Sequence, residues 1–269
     1  MQKINRKGNN VVKSFRVDGM NVLRCESKEE LGLLAAEHVQ EKITELLKRQ
    51  TWIRMVFAAA PSQNEFLYNL TLSPEIEWGR IIAFQMDEYI GLPESASQLF
   101  QSYLRDHLFA FAPFKRVEVI RPTVLNNLEE CARYGMLVKE APIDIICMGI
   151  GENGHIAFND PGVADFDDKE VMKVVELDES CRNQQVNDGC FTDLESVPRS
   201  AFTLTIPTLL SGKHLFVIVP GSRKAGAVLM TLKAPVDREC PASILRTHSD
   251  ATLFIDKDSG RFLGSTHQN

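Results

Sequence analysis

Residues 147–162 read CMGIGENGHIAFNDPG, and this stretch decides the fold and points to the site. It continues an apolar run at 143–148, which predicts a fully buried strand. Gly149 and Gly151 then predict a tight turn, where the backbone can approach a ligand closely. Open α/β sheets bind ligands outside the carboxyl ends of their strands, so the segment predicts a crevice here. His155, close to Asp160, suits proton transfer on a small molecule, although both side chains could instead only cap the turn.

Working outward, strands and helices alternate along the chain. A capping box at Ser27–Glu30 opens the first predicted helix. Strands are predicted at 53–59, 80–86, 117–120, 143–149, 171–177, 202–206, 214–219 and 251–255, and helices at 31–47, 64–70, 99–109, 127–139 and 224–232. This order predicts an α/β protein with a single three-layer αβα domain and a mostly parallel, Rossmann-like sheet. The predicted domain spans 27–269, after an N-terminal extension at 1–26.

Composition narrows the classes of function. The chain has 269 residues, 44% of them hydrophobic and 25% charged, as in ordinary globular enzymes. A net charge of −6 argues against nucleic acid as a partner, because no basic excess neutralises phosphates. No apolar run is long enough to span a membrane, and the start of the chain lacks the apolar core of a secretory signal. The six cysteines are scattered, which predicts free thiols, no metal site and a cytoplasmic protein.

A second block follows the strand predicted at 80–86 and reads QMDEYIGL from Gln85 to Leu92. Together with GIGENGHIAFNDPG, this block closely resembles the glucosamine-6-phosphate deaminase/isomerase family, and the resemblance extends more weakly from about Ser27 to Phe262. The wider superfamily includes the 6-phosphogluconolactonases, which share the glycine-histidine loop. The continuation at 156–159 resembles the deaminases more. The resemblance implies an enzyme without a cofactor that acts on a sugar phosphate, and a homo-oligomer stays open.

The resemblance also implies catalytic roles for the two blocks. Asp87 matches the family carboxylate that moves a proton between C2 and C1 of the sugar, while the neighbouring Glu88 is expected to point away from it. An Asp that merely caps the next helix is the alternative. His155 matches the residue that opens the sugar ring. Its two flanking family carboxylates are replaced here by Asn153, which is uncharged, and by the shorter Asp160, so support for the imidazolium is expected to be weaker.

The predicted phosphate site departs further from the family pattern. The usual glycine-rich turn after the first strand reads AAAPSQNE at 58–65, so Ser62, Gln63 and Asn64 are expected to donate from side chains at a helix start. Gly151 and Gly154 are expected to let the signature loop approach the ligand. Lys224 matches the family's phosphate-binding lysine. An arginine that the family has after Arg182 is missing here, and Arg182 or Arg223 is expected to supply its charge. The alternative is that Arg223 and Lys224 are only solvated residues at the start of a helix.

Three functions remain open from the sequence. The first is an aldose–ketose isomerase and deaminase that converts an amino-sugar phosphate to a ketose phosphate and ammonia. The second is a sugar-phosphate-binding regulatory protein with reduced catalysis, which the altered turn and Asn153 favour. The third is a 6-phosphogluconolactonase-like hydrolase, in which His155 acts as a base and Asp87 has no role at C2.

Overall fold

The computed structural model describes residues 5–7 and 10–264 of the chain. Its central sheet has nine strands in the order β1-β2-β3-β12-β11-β8-β4-β5-β7. These strands are β1 (Asn5–Lys7), β2 (Asn10–Val17), β3 (Met20–Arg24), β4 (Ile53–Phe57), β5 (Ile81–Gln85), β7 (Arg116–Glu118), β8 (Ile145–Met148), β11 (His214–Val219) and β12 (Ala251–Ile255). All pairings from β3 to β7 are parallel, and only the β1-β2-β3 edge is antiparallel. The mostly parallel sheet is therefore confirmed.

Seven α-helices accompany the sheet in the described residues. They are α1 (Lys28–Leu47), α2 (Asn64–Thr71), α3 (Phe100–Leu104), α4 (Asn127–Lys139), α5 (Glu179–Asn187), α6 (Ile206–Leu210) and α7 (Ala225–Lys233). A π-helical turn at Arg105–Phe109 extends α3, and single 3-10 turns precede α2 and α7. The sequence did not predict α5, which is too polar to show an apolar stripe. Its start is fixed by Asp178, whose side chain accepts a hydrogen bond from the Cys181 backbone N–H.

The hydrophobic core forms two layers, one on each face of the central sheet. Alternate residues of one strand enter different layers: Ile145 and Cys147 pack on one side, Ile146 and Met148 on the other. Helices α1, α2 and α3 cover the first layer, whereas α4, α6 and α7 cover the second. Burying one such side chain contributes about 1.5–3 kcal/mol, so these layers are the main source of stability. The three-layer αβα domain is confirmed.

A second, smaller sheet stands beside the carboxyl ends of the central strands. It is antiparallel, with the order β6 (Asp87–Tyr89), β10 (Ser200–Leu204) and β9 (Met172–Glu176). The sequence predicted β-structure at 171–177 and 202–206 but not this separate sheet. Only Met86 separates β5 from β6, so the chain passes directly from the central sheet to the small one. This change of sheet sets the direction of the Asp87 side chain.

The N-terminal segment contributes to the same domain. In β3, Met20 and Val22 are fully buried, and the strand runs parallel to β12. The boundary between an extension at 1–26 and a domain at 27–269 stays a prediction, and residues 1–4, 8–9 and 265–269 lie outside the described residues. No helix within the described ranges is long and apolar enough to cross a membrane.

Candidate active site

A cavity opens at the carboxyl ends of β4, β5, β8 and β11. The chain runs from β4 out to β5 and β7 and returns to β8 on the other side of β4, so β4 and β8 form a topological switch point. Loops that follow different strands meet there. The cavity has a reaction end, which we define by Asp87, His155 and the residues behind them. Its distal subsite consists of Ser62, Gln63, Gln184, Gln185, Asp188 and Lys224.

Asp87 lies in the cavity wall, where only 7% of the residue is exposed. Burial, and after it the neighbouring Glu88 carboxylate, hold the pKa of Asp87 well above its ordinary value. Neither carboxylate oxygen of Asp87 accepts a hydrogen bond from another described residue. A buried carboxylate without local partners is a strong base toward a proton placed beside it, which is the property that C–H proton transfer needs.

Glu88 points away from the cavity and has a structural role. Its carboxylate accepts the backbone N–H groups of Tyr89, Phe100 and Gln101 and the side-chain amide of Gln85. It therefore ties β6 to the start of α3. Burial raises the pKa of Glu88 to about 7, although these hydrogen bonds oppose the rise. The opposite directions expected for Asp87 and Glu88 agree with this geometry.

The signature loop holds His155 against the cavity. His155 Nδ1 lies 2.8 Å from Asn153 Oδ1 and 3.0 Å from Asp160 Oδ1. Both oxygens are acceptors, because the Asn153 amide nitrogen donates to Asp160 at 2.8 Å. The proton therefore resides on Nδ1, which leaves Nε2 with a lone pair for the ligand. The neutral amide of Asn153 and the carboxylate of Asp160 together fix this tautomer. Weaker support for the ring was expected from the sequence, because only one of these two groups is charged.

Asp160 is buried behind the imidazole with 2% of its surface exposed. Burial alone raises the pKa of Asp160, but hydrogen bonds from His155, Asn153 and Cys181 outweigh it and keep the pKa below its ordinary value. The potential ligand atoms of His155, Asp160 and Cys181 lie within 4.8 Å of one another. Hydrogen bonds already account for this closeness, and the absence of a metal role stays a prediction.

Two glycines allow the loop to take this shape. A Cβ atom on Gly151 would fall 2.1 Å from the His155 ring, so no other residue permits the ring to pack there. Gly154 has a φ of 88°, and a Cβ atom on it would lie 2.7 Å from the Cys240 sulfur. Gly151 lines the cavity, whereas Gly154 lies behind it and accepts a hydrogen bond from the Ala242 N–H. The ligand contact expected for Gly154 is therefore replaced by a packing role.

The structure brings Ser62, Gln63 and Lys224 together at the distal subsite. Lys224 is 8% exposed, and no residue in the ranges 5–7 and 10–264 pairs with its ammonium by hydrogen bond or ion pair. Burial lowers the pKa of Lys224, while Asp188 and Glu152 oppose that effect. An unpaired buried cation facing a cavity is a site for a negatively charged or strongly polar ligand group.

Two predicted binding residues are elsewhere. Asn64 accepts a hydrogen bond from the Tyr103 hydroxyl at 2.6 Å and lies outside the cavity lining. Arg182 is 9% exposed, and its guanidinium donates to the backbone carbonyls of Leu194 and Val197. The expectation that Arg182 supplies the missing charge is wrong for this structure, because its guanidinium stabilises the segment after α5. Arg223 reaches only the rim, where it pairs with Asp188 at 2.5 Å.

Sequence reasoning missed the contribution of α5. Gln184 and Gln185 of this helix and Asp188, its C-cap, line the cavity. The Gln184 side chain accepts the Glu152 backbone N–H at 3.0 Å. An N-cap residue, Asp178, followed by the acidic Glu179 in the first turn, could have located the start of the helix. Phe100 and Phe158 also line the cavity and stack with ring centroids 5.5 Å apart, which gives the reaction end an apolar wall.

Known proteins resemble this chain along most of its length. A family model described as glucosamine-6-phosphate isomerases/6-phosphogluconolactonase matches residues 26–254. The glucosamine-6-phosphate deaminase of Listeria monocytogenes serovar 1/2a is 32% identical over 91% of this chain and 100% of its own. The enzyme of the same name from Clostridium botulinum (strain Eklund 17B / Type B) is 34% identical, over 91% of this chain and 97% of its own.

Solved structures agree with these sequence matches. A monomeric glucosamine-6-phosphate deaminase superposes with a TM-score of 0.82 and 30% identity, covering 89% of this chain and 98% of that one. The 6-phosphogluconolactonase of Thermotoga maritima superposes with a TM-score of 0.72 and 18% identity, over 88% of this chain and all of that one. At 18% identity, the second likeness concerns the fold alone.

Proposed function

The chain belongs to the glucosamine-6-phosphate isomerase/6-phosphogluconolactonase family, and we propose that it is a deaminase-like aldose–ketose isomerase acting on an amino-sugar phosphate. One observation carries the proposal: Asp87 and His155 line the same cavity, one as a buried base and the other with Nε2 free. The name shared by the relatives supports the reaction. The proposed products are a ketose phosphate and ammonia.

The reaction begins with ring opening at His155. The lone pair of Nε2 accepts the proton of the sugar O1 hydroxyl and then delivers it to the ring oxygen O5. The C1–O5 bond breaks, and the open-chain aldehyde forms. Asn153 and Asp160 stabilise the imidazolium that exists between these two transfers, because both accept from Nδ1–H. This arrangement leaves the ring in one orientation throughout the step.

Asp87 then carries the proton transfer between carbon atoms. In the open-chain ammonium form of the sugar, the Asp87 carboxylate removes the C2 proton while the ammonium passes a proton to O1, which gives an enolamine with a hydroxyl at C1. Asp87 then returns its proton to C1, which leaves an iminium at C2. Water adds to C2, the C2–N bond breaks, and ammonia leaves with the ketose as the second product. The apolar wall of Phe100 and Phe158 limits water near Asp87 and preserves its basicity. Lys224, at the distal subsite, holds the far group of the sugar.

A panel of hexosamine phosphates, with ammonia release as the readout, tests the proposal. The panel includes glucosamine 6-phosphate and its galacto and manno isomers, and the hydrolysis of 6-phosphogluconolactone is measured in parallel. We expect ammonia from at least one hexosamine and no hydrolysis of the lactone above its spontaneous rate. Lactone hydrolysis without ammonia release from any hexosamine would replace this proposal with the lactonase alternative. A homo-oligomer and a cytoplasmic location stay predictions.

A further inference from the structure

A tight turn at 156–159 lies between His155 and Asp160 in the signature loop. A backbone hydrogen bond of 3.1 Å between its first and last residues closes the turn. Inside it, Ala157 lines the cavity with a φ of 51°, in the left-handed region that a residue with a Cβ atom rarely adopts. Such a conformation persists where the surrounding structure holds it. The turn therefore depends on contacts from outside its own backbone.

The side chain of Asn159 supplies one of these contacts. Asn159 is fully buried, and its amide nitrogen donates to the carbonyls of Ile156 and Leu204, both at 2.9 Å. The first hydrogen bond stays within the turn and the second reaches β10, so the amide joins the turn to the small sheet. The Asn159 amide oxygen has no hydrogen-bond partner among the residues that the structure describes. The protein thus accepts an unsatisfied oxygen in order to place two donors against two carbonyls.

Thr203 makes a second connection between the turn and β10. Its hydroxyl oxygen accepts the Phe158 backbone N–H at 3.1 Å and lies 3.3 Å from the Asn159 amide nitrogen. Its own O–H donates to the Leu204 carbonyl at 3.1 Å. Thr203 is fully buried, so water does not replace these hydrogen bonds. A serine hydroxyl can make the same contacts, whereas a valine side chain cannot.

The same position of β10 lies directly opposite the proposed base. In the antiparallel pairing of β10 with β6, Thr203 is the partner of Asp87. Residues that oppose each other in such a pair direct their side chains to the same face of the sheet. The Leu204 N–H also donates to the Met86 carbonyl at 2.8 Å, which extends the pairing to the point where the chain enters the small sheet. Thr203 therefore connects the strand of Asp87 to the turn beside His155.

We infer that Asn159 and Thr203 are positioning residues that fix the separation between the Asp87 carboxylate and the His155 ring. The inference rests on the proposed function, since it concerns how the two groups of that reaction are held. Both groups must reach one sugar molecule, the imidazole at O1 and O5 and the carboxylate at C1 and C2. Small displacements of such groups slow the chemistry strongly. Neither Asn159 nor Thr203 is among the described residues that line the cavity, so both act through other residues.

Steady-state kinetics of ammonia release from glucosamine 6-phosphate test this inference. Thr203→Val removes the hydroxyl at nearly constant shape and should lower kcat by about ten- to a hundredfold, with KM changed by less than about threefold. Thr203→Ser keeps the hydroxyl and should restore most of the kcat that Thr203→Val loses. Thr205→Val is the matched control, because Thr205 is also fully buried and its hydroxyl donates to the Glu170 carbonyl at 2.8 Å, outside the signature loop.

The control separates positioning from stability. Thr205→Val should lower the Tm without lowering kcat. If Thr205→Val lowers kcat as much as Thr203→Val does, or if Thr203→Ser is as slow as Thr203→Val, the effect at 203 is a general loss of stability and the inference is wrong.

A double substitution tests the role of the turn itself. Asn159→Ala removes both amide donors and should lower kcat by about ten- to a hundredfold. Glycine adopts a positive φ without a steric penalty, so Ala157→Gly in the Asn159→Ala background should raise kcat again by about fivefold. Introduced alone, Ala157→Gly should not raise kcat, because the turn is already held. A further loss of kcat in the double variant would contradict the role given to Asn159.

An NMR spectrum of the ¹⁵N-labelled His155 ring tests the positioning without any reaction. The parent should show one tautomer with the proton on Nδ1, as the contacts with Asn153 and Asp160 require. Thr203→Val should give a second ring signal, whereas Thr205→Val should not. An unchanged ring signal together with an unchanged kcat in Thr203→Val contradicts the inference and leaves the proposed function standing. A second ring signal without ammonia from any hexosamine supports the positioning role and contradicts the deaminase reaction.

Discussion

The reaction end and the distal subsite share one cavity but are built in different ways. At the reaction end, Asn153, His155 and Asp160 lie within eight consecutive positions, and hydrogen bonds among them fix the imidazole. The distal subsite takes Ser62, Asp188 and Lys224 from three separate segments of the chain. Its charges oppose one another, whereas those of the reaction end cooperate. The local cluster at the reaction end can therefore be kept while the residues of the distal subsite, which recognise the far end of the ligand, change.

The largest effect is expected at the reaction end. Asp87→Asn removes the proposed base while keeping the shape of the side chain, so turnover should fall by about two to four orders of magnitude. Ligand affinity should stay nearly unchanged, since the distal contacts remain. Initial rates of ammonia release and calorimetric affinities check both expectations. Asp106→Asn, an exposed substitution, is the matched control. Turnover like that of the parent would remove Asp87 from the mechanism.

The next effect belongs to the distal subsite. Lys224→Ala should weaken binding of a hexosamine 6-phosphate by about 1.5–3 kcal/mol, the scale of a charge-assisted hydrogen bond. The loss should be much smaller for the same sugar without the ester. Lys233→Ala, at the exposed end of the helix α7 that Lys224 precedes, should change neither affinity. Equal losses for both sugars would show that Lys224 contacts another part of the ligand.

A smaller effect, a gain in the free energy of unfolding, is expected for the same Asp87→Asn variant. The pKa of Asp87 is raised in the folded protein, so the folded state holds its proton to a higher pH than the unfolded chain does. This contribution to stability is complete below the ordinary carboxyl pKa and is lost as pH rises through the folded pKa. Asp87→Asn should therefore be more stable than the parent by about 1 kcal/mol or more at pH 8.

Urea unfolding at pH 8 and at pH 4 checks this prediction. The difference between the two proteins should shrink at pH 4, where the parent carboxyl is protonated in the folded state and about half protonated in the unfolded chain. Asp106→Asn should show no gain in stability at pH 8, because the hydrogen bond with Arg105 lowers the pKa of the Asp106 carboxyl. A variant less stable than the parent at pH 8 would mean that the Asp87 carboxylate is stabilised by contacts that the structure does not contain.

The smallest effect is expected from a substitution of Asn153, which supports the His155 ring together with Asp160. Asn153→Asp places a second carboxylate beside Nδ1 and favours the imidazolium. The pH profile of turnover should move to higher pH, with a change in maximal rate of less than about tenfold. An NMR titration of the His155 ring in both proteins should show its protonation midpoint moving in the same direction. An unchanged midpoint would show that the residue at 153 does not contact the ring in solution.

The sequence predicted the reaction end better than the distal subsite, and the reason is physical. Buried parallel strands give continuous apolar runs, so β8, β11 and β12 could be located from the pattern, and the glycine turn after β8 predicted the crevice. The roles of Asp87 and His155 came from residues adjacent in sequence to those strands. They stay predictions, but the structure places both side chains in one cavity.

The distal subsite could not be predicted in the same way. Helix α5 has a polar sequence, and the contact of Asp188 with the cavity depends on how that helix packs. Arg182 was assigned to the ligand because it lay near an expected arginine, yet its side chain points to the carbonyls of Leu194 and Val197. Likewise, the Tyr103 hydroxyl engages Asn64 across 39 positions of sequence. Long-range contacts of this kind leave no periodic signal in the chain.

The most direct test of the account is the stoichiometry of ammonia and ketose formed from glucosamine 6-phosphate. Both products are measured in the same reaction, with the parent protein and with Asp87→Asn. We predict one ammonia for each ketose with the parent, and a rate of both lower by about two to four orders of magnitude with the variant. Ammonia without ketose, or equal rates of both in the two proteins, would contradict the proposal that Asp87 moves the proton from C2 to C1.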